Sequence, residues 1–122
     1  MKRTFFSLAL LLAVATLTAQ TKMTAREAAV KIADRILAST TYEFKNTKTG
    51  EIYKSVKKLP LDMDVKVACK YNNWHYTNGV TNMALMELGD KLGDKKYEKY
   101  VLKNMNFVFN EGNLDFFRKQ YD

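Results

Sequence analysis

The chain has 122 residues, 47% of them hydrophobic and 27% charged, with a formal net charge of +7. This is ordinary globular composition, enough for one small domain or part of one, and it excludes the disordered and low-complexity classes. The basic residues are interleaved with acids along the whole sequence, without the clustered basic face and base-stacking aromatics that nucleic-acid binding requires. An acidic ligand such as a polyanionic sugar fits the sign of the charge, while any single lysine is accounted for by a solvated surface.

In chain order, Lys2 and Arg3 open a positive start, Phe5 to Leu17 form an apolar segment and Thr18-Ala19-Gln20 a small-residue exit. This pattern predicts a secretory signal peptide over residues 1–19, cut after Ala19. The apolar segment is too short for a membrane span, and no cysteine stands at the cut to carry a lipid. The expected product is residues 20–122, periplasmic or secreted and free of the membrane. The cut removes two cations and no anion, so the formal charge falls from +7 to +5.

The first helix is predicted to open at Thr24, where Thr24 and Glu27 have the T-x-x-E spacing of a capping box. Ala25, Ala28, Ala29, Ile32, Ile36 and Leu37 recur at helical spacing opposite Lys31, Asp34 and Arg35, and the helix should end near Ser39 to Thr41. From Tyr42 the period changes. Tyr42 and Phe44 alternate with polar residues, Asn46 to Gly50 supplies turn chemistry, and Ile52, Tyr53 and Val56 follow, which predicts a small β-hairpin excursion. Pro60 interrupts it, and Leu61 to Asn73 reads as a long connection lying over the body of the fold. Asp62 and Asp64 lie there two residues apart without the further oxygen ligands of a metal loop, and are expected to be solvated loop acids. Cys69 is the only cysteine. It builds neither a disulfide framework nor a zinc site, its ordinary fate is a small buried apolar residue, and a catalytic role would need the only histidine, His75, as its base. No cofactor and no metal are expected.

Trp74-His75-Tyr76 then precedes a helix predicted to start at Thr77 or Asn78, either of which could cap it, and to run to Leu92. Bulky groups with polar tips in the turn before a helix suit a ligand wall, while their ordinary role is a plug at the end of a helical layer. Val80, Met83, Ala84, Leu85, Met86 and Leu88 occupy more than one stripe, the signature of an inner helix surrounded by protein. Gly93 supplies a left-handed stop and Asp94 a cap for the next helix, so the two must run antiparallel. The third helix is expected from Lys95 to Phe109, burying Tyr97, Tyr100, Val101, Met105 and Val108. Glu111-Gly112-Asn113 breaks its pattern and Leu114 to Asp122 begins something new.

The run Trp74 to Val80, W-H-Y-T-N-G-V, followed by A-L-M-E-L-G-D-K-L-G-D-K-K-Y-E-K-Y, resembles the first helical hairpin of the unsaturated rhamnogalacturonyl and unsaturated glucuronyl hydrolases, glycosyl hydrolase family 88/105. The resemblance covers Trp74 to about Asn110, with the Thr24 helix plausible as part of it. It implies an all-α fold, an (α/α)6 barrel of six helical hairpins of the six-hairpin glycosidase kind, whose first hairpin or hairpins this chain would supply. Six hairpins of roughly 40 to 50 residues need about twice this chain or more, so residues 20–122 are expected to be the N-terminal part of such a domain and inactive alone. The resemblance also implies a substrate, an unsaturated uronyl oligosaccharide, and a reaction in which an aspartic acid protonates the uronyl double bond, water adds and the hemiketal collapses. In that family the tyrosine of W-x-Y lines the substrate pocket, and Tyr76 matches it; Trp74 and His75 are the further candidate substrate contacts. The family's catalytic aspartates lie on later hairpins, so none of Asp62, Asp64, Asp90, Asp94, Asp115 or Asp122 inherits their role. The competing class is an exported interaction module, since the same hairpin also resembles a tetratricopeptide-type repeat, of which only one unit is present. A small self-contained structural protein is a third class.

Overall fold

The computed structural model of the protein describes residues 22–119. The expected signal peptide and Asp122 lie outside them. The described chain is mainly helical, with four helices and one three-stranded antiparallel sheet. No helix among the described residues is long and apolar enough to cross a membrane.

Helix α1 (Ala25–Ser39) starts on the expected capping box: the Glu27 amide donates to Thr24 Oγ1 at 3.2 Å and the Thr24 amide to Glu27 Oε2 at 2.8 Å. Its last turn is closed by hydroxyls. Thr40 Oγ1 donates to the Ile36 carbonyl at 2.8 Å and also bonds the Tyr100 hydroxyl at 2.9 Å, tying the helix end to the hairpin that follows later in the chain.

The hairpin forms as predicted, β1 (Phe44–Asn46) against β2 (Ile52–Tyr53) with Phe44 opposite Tyr53. Asn46 Oδ1 accepts from the amides of Lys48 and Thr49 at 2.8 and 3.0 Å and so shapes the turn. The long connection is not structureless. Val65–Val67 forms β3 on the other side of β1, pairing Phe44 with Val67 and Asn46 with Val65. Alternation of Val65 and Val67 about Lys66 lets one face of this short strand meet the core while the lysine stays wet. Asp62 and Asp64 are exposed, and Asp64 pairs with Lys48 across the turn.

Helices α2 (Tyr76–Leu92) and α3 (Lys95–Phe109) form the expected hairpin. Gly93 sits at φ 67°, a conformation costly for any residue with a Cβ, and Asp94 caps α3 by accepting from the Lys96 amide at 3.0 Å. Gly89 permits the close crossing: a Cβ there would stand 3.2 Å from Tyr97 Cβ and 3.1 Å from the Asp94 carbonyl oxygen. Among the described residues α2 is not covered on every side. Its buried stripe is Asn78, Asn82, Leu85 and Gly89, whereas Tyr76, Val80 and Met83 face solvent at 81%, 48% and 73% exposure. The break after α3 also moves. It is a single residue, Asn110, whose Oδ1 accepts from the Asn113 amide at 3.0 Å and caps α4 (Glu111–Lys119) at once.

Two apolar clusters hold these elements. Phe44, Val56, Val65, Phe107, Val108 and Phe117 join the sheet to α3 and α4, with Phe44 and Phe107 stacked at 5.1 Å between ring centres. Ala33, Leu85, Tyr97, Tyr100 and Val101 join α1 to the hairpin, where Tyr97 donates its hydroxyl to Asp34 at 2.9 Å. Rings of this size supply most of the area a small domain can remove from water.

Candidate functional site

A cavity of about 370 Å3 opens at the first turns of α2. Its position follows from how that helix starts. The expected cap was Thr77 or Asn78; the residue that caps is His75, whose Nδ1 accepts from the Thr77 amide at 3.4 Å and bonds the Thr77 hydroxyl at 2.9 Å. Asn78 cannot cap because it is turned inward, donating to the carbonyls of Lys70 at 2.9 Å and Asn73 at 3.1 Å and to Asn73 Oδ1. These bonds tie the incoming loop to the helix and set the cavity's edge.

The candidate residues separate into three roles. Trp74 lies edge-on to Phe109, 5.3 Å between ring centres at 63°, and 6.5 Å from buried Phe117, so it anchors the turn to α3 and α4 while staying 39% exposed. His75 is spent on the cap. Tyr76 borders the cavity as the most open large hydrophobic side chain of α2. Trp74 thus packs as a plug, and Tyr76 stands open at the cavity's border.

The floor was not anticipated. Five asparagines border the cavity: Asn72, Asn73, Asn78, Asn82 and Asn104. Asn104, 1% exposed, bridges two elements: its Oδ1 accepts from the Tyr42 hydroxyl at 2.9 Å, and its Nδ2 donates to Asn82 Oδ1 at 3.0 Å. Burial pushes the Tyr42 phenol up to about 12, with Tyr100 and Cys69 adding to the shift. Asn72, 2% exposed, gives its Nδ2 to the Thr41 carbonyl, while its Oδ1 has no hydrogen-bond partner among the described residues. Asn82 and Asn104 are buried on facing helices, and no signal in the sequence pairs them.

Against this geometry, no family model, curated protein or solved structure matches the chain.

Several chemistries can be assigned elsewhere or set aside. Cys69 is buried, with its thiol near the Ser39 carbonyl at 3.8 Å and the Tyr71 amide at 3.4 Å, and the hydrogen bonds of His75 go to Thr77. Asp90 is exposed and Asp94 is a helix cap; neither borders the cavity, nor do Asp62, Asp64 or Asp115. No group of three or more His, Cys, Asp or Glu that could hold a metal comes together among the described residues. Asp34 is held below the usual carboxylate range by its hydrogen bonds to Lys96 and then Tyr97, a surface clamp on α3 remote from the cavity wall. The lining of the cavity combines aromatic rings and methionines with asparagine amides.

Proposed function

We propose that this chain is the N-terminal part of a secreted unsaturated uronyl hydrolase of the family 88/105 kind, and that its cavity is one wall of the sugar-holding funnel. The observation that carries the reading is the wall itself, with Tyr76 presented open on the first turn of α2 beside Trp74 and Phe109 over a floor of amides. A ring with a hydroxyl can stack on a pyranose face and bond its edge, and fixed amides can order its hydroxyls. A second feature supports it. Helix α2 also borders an open groove of about 520 Å3 on its other side, where Ala29, Ile32 and Ile36 of α1 face Val80, Ala84 and Leu88. A helix with apolar flanks open on both sides suits the inner layer of an (α/α)6 barrel whose other hairpins cover it.

In this reading the chain positions substrate and does not perform the hydration step; the protonating aspartic acid belongs to later hairpins. The test is direct binding. Titrating the chain with an unsaturated galacturonyl–rhamnose disaccharide should change the fluorescence of Trp74, the only tryptophan, saturably, without release of unsaturated uronic acid. An unchanged signal to the solubility limit of the disaccharide would remove the reading.

A further inference from the structure

We propose that the basic face formed by β1, β3 and the end of α1 is a second binding surface, which holds an acidic oligosaccharide by its carboxylates and is separate from the cavity at α2. Along the sequence the lysines are interleaved with acids, but the fold sorts them. In β1 Phe44 and Asn46 are buried and Lys45 is exposed, and in β3 Val65 is buried and Lys66 is exposed. The strand register sets Lys45 directly opposite Lys66. Residues so opposed have Cβ atoms about 4.5–5.5 Å apart, and like charges there repel. Neither lysine makes an ion pair among the described residues. Asp64, just before β3, is already paired with Lys48, and Glu43, just before β1, is half-buried and pairs with neither.

The face continues into a cleft. The Ala68 amide donates to the Glu43 carbonyl at 2.8 Å, one rung past β3, and Ala68 also borders a cleft of about 480 Å3 between the end of α1 and the chain leaving the sheet. Arg35 and Lys70 stand at its border, both exposed and neither in an ion pair among the described residues. The carbonyls ending α1 would repel an anion, but the Ser39 and Thr40 hydroxyls donate to those of Arg35 and Ile36. An anion seated between opposed lysines is attracted by both, and cations spaced from sheet to cleft suit a ligand whose charges repeat along a chain. The cleft selects among polyanions. Concave sites of this size hold small molecules, so a sugar unit can enter where a flat lipid surface cannot. Tyr71, half-buried with the Lys70 ammonium 5.0 Å from its ring centre, offers no open face for stacking bases. That the acid groups are uronate carboxylates rests on the reading of the chain as a uronyl hydrolase; the surface itself rests on the register and the cleft.

The experiment titrates the full chain with trigalacturonate and with its neutral methyl ester, following backbone amide shifts at low and at physiological ionic strength. Trigalacturonate should shift Lys45, Lys66, Lys70 and Arg35 saturably, more weakly at the higher ionic strength, and the ester should leave them unmoved. Lys45→Gln with Lys66→Gln should weaken trigalacturonate by about 2- to 20-fold. The same double variant should keep or raise the melting temperature, because it removes a like-charge pair. Tyr76→Ala should leave this binding unchanged, since the cleft and the cavity share no lining residue. The inference is overturned by no shifts at these four residues, by equal binding of the ester, by an unaltered affinity in the double variant, or by tripolyphosphate or anionic lipid vesicles binding more tightly than trigalacturonate. None of these results touches the Trp74 signal that tests the uronyl hydrolase reading, so the two fail separately.

Discussion

Replacing Asn104 by leucine perturbs the structure at the point where the sheet approach, the hairpin and the cavity floor meet. Leucine keeps the branched skeleton of asparagine with bulkier ends, and two hydrogen bonds are lost: Tyr42 hydroxyl to Asn104 Oδ1 at 2.9 Å, and Asn104 Nδ2 to Asn82 Oδ1 at 3.0 Å. Each bond contributes about 1 kcal/mol net, and a buried group left unpaired costs about 1–3 kcal/mol. Tyr42 is half-buried beneath Lys103, whose ammonium stands 4.1 Å from its ring centre, so its hydroxyl has little freedom to find another partner, whereas Asn82 can turn towards the cavity. The expected loss is therefore ~2–4 kcal/mol, set against the ~5–15 kcal/mol that hold a typical domain together. Urea unfolding followed by Trp74 fluorescence reads it, and in a double-mutant cycle Tyr42→Phe should couple to Asn104→Leu by about 1 kcal/mol. A loss below ~0.5 kcal/mol, or additive effects in the cycle, would refute the view of this amide pair as a structural bridge.

Three further outcomes follow from the same geometry. Gly89→Ala should destabilise by ~1–3 kcal/mol in thermal melts although alanine is the better helix former, because the new Cβ meets Tyr97 and the Asp94 carbonyl; a stabilised variant would mean the hairpin crosses at a greater distance. His75→Asp should stabilise by ~0.5–1 kcal/mol, since a carboxylate is the stronger cap at the positive end of α2, and a lower melting temperature would show that His75 does more than cap. Because the folded-state value of Tyr42 is raised to about 12, its neutral phenol contributes stability in full below the ordinary tyrosine value of 10.0, and this is lost as pH rises through about 12. Tyr42→Phe should flatten that alkaline decline in urea midpoints, and an unchanged slope would place the titration on another group.

Much of the helical frame was legible because its signals are local. The Thr24–Glu27 box, the Gly93 stop and the Asp94 cap each act within a few residues, and each stands where the sequence put it. The small hairpin was legible through Asn46 and its turn. Strand β3 was not, because three residues carry too little periodicity to stand out from the loop around Pro60, and only pairing with β1, distant in sequence, makes them a strand. The start of α2 was misread for a related reason. Thr77 and Asn78 are better caps by propensity, but Asn78 is drawn inward by carbonyls of the preceding loop, which leaves the cap to His75. The apolar stripes of α2 suggested burial on every side, yet Val80 and Met83 stand open among the described elements. Trp74 and Tyr76 were recognisable as wall candidates from their ring chemistry. The asparagine floor was hidden because each amide reads alone as a polar surface residue, and only the crossing of α2 and α3 brings Asn82 and Asn104 together.

The most direct test of the account is to assign the side-chain amide resonances of Asn82 and Asn104 and follow them while the unsaturated galacturonyl–rhamnose disaccharide is added. Saturable shifts at both amides, abolished or strongly weakened in Tyr76→Ala, are the predicted result. Shifts confined to the lysine-bearing surface, or the same shifts at both amides when Tyr76 is alanine, would contradict it.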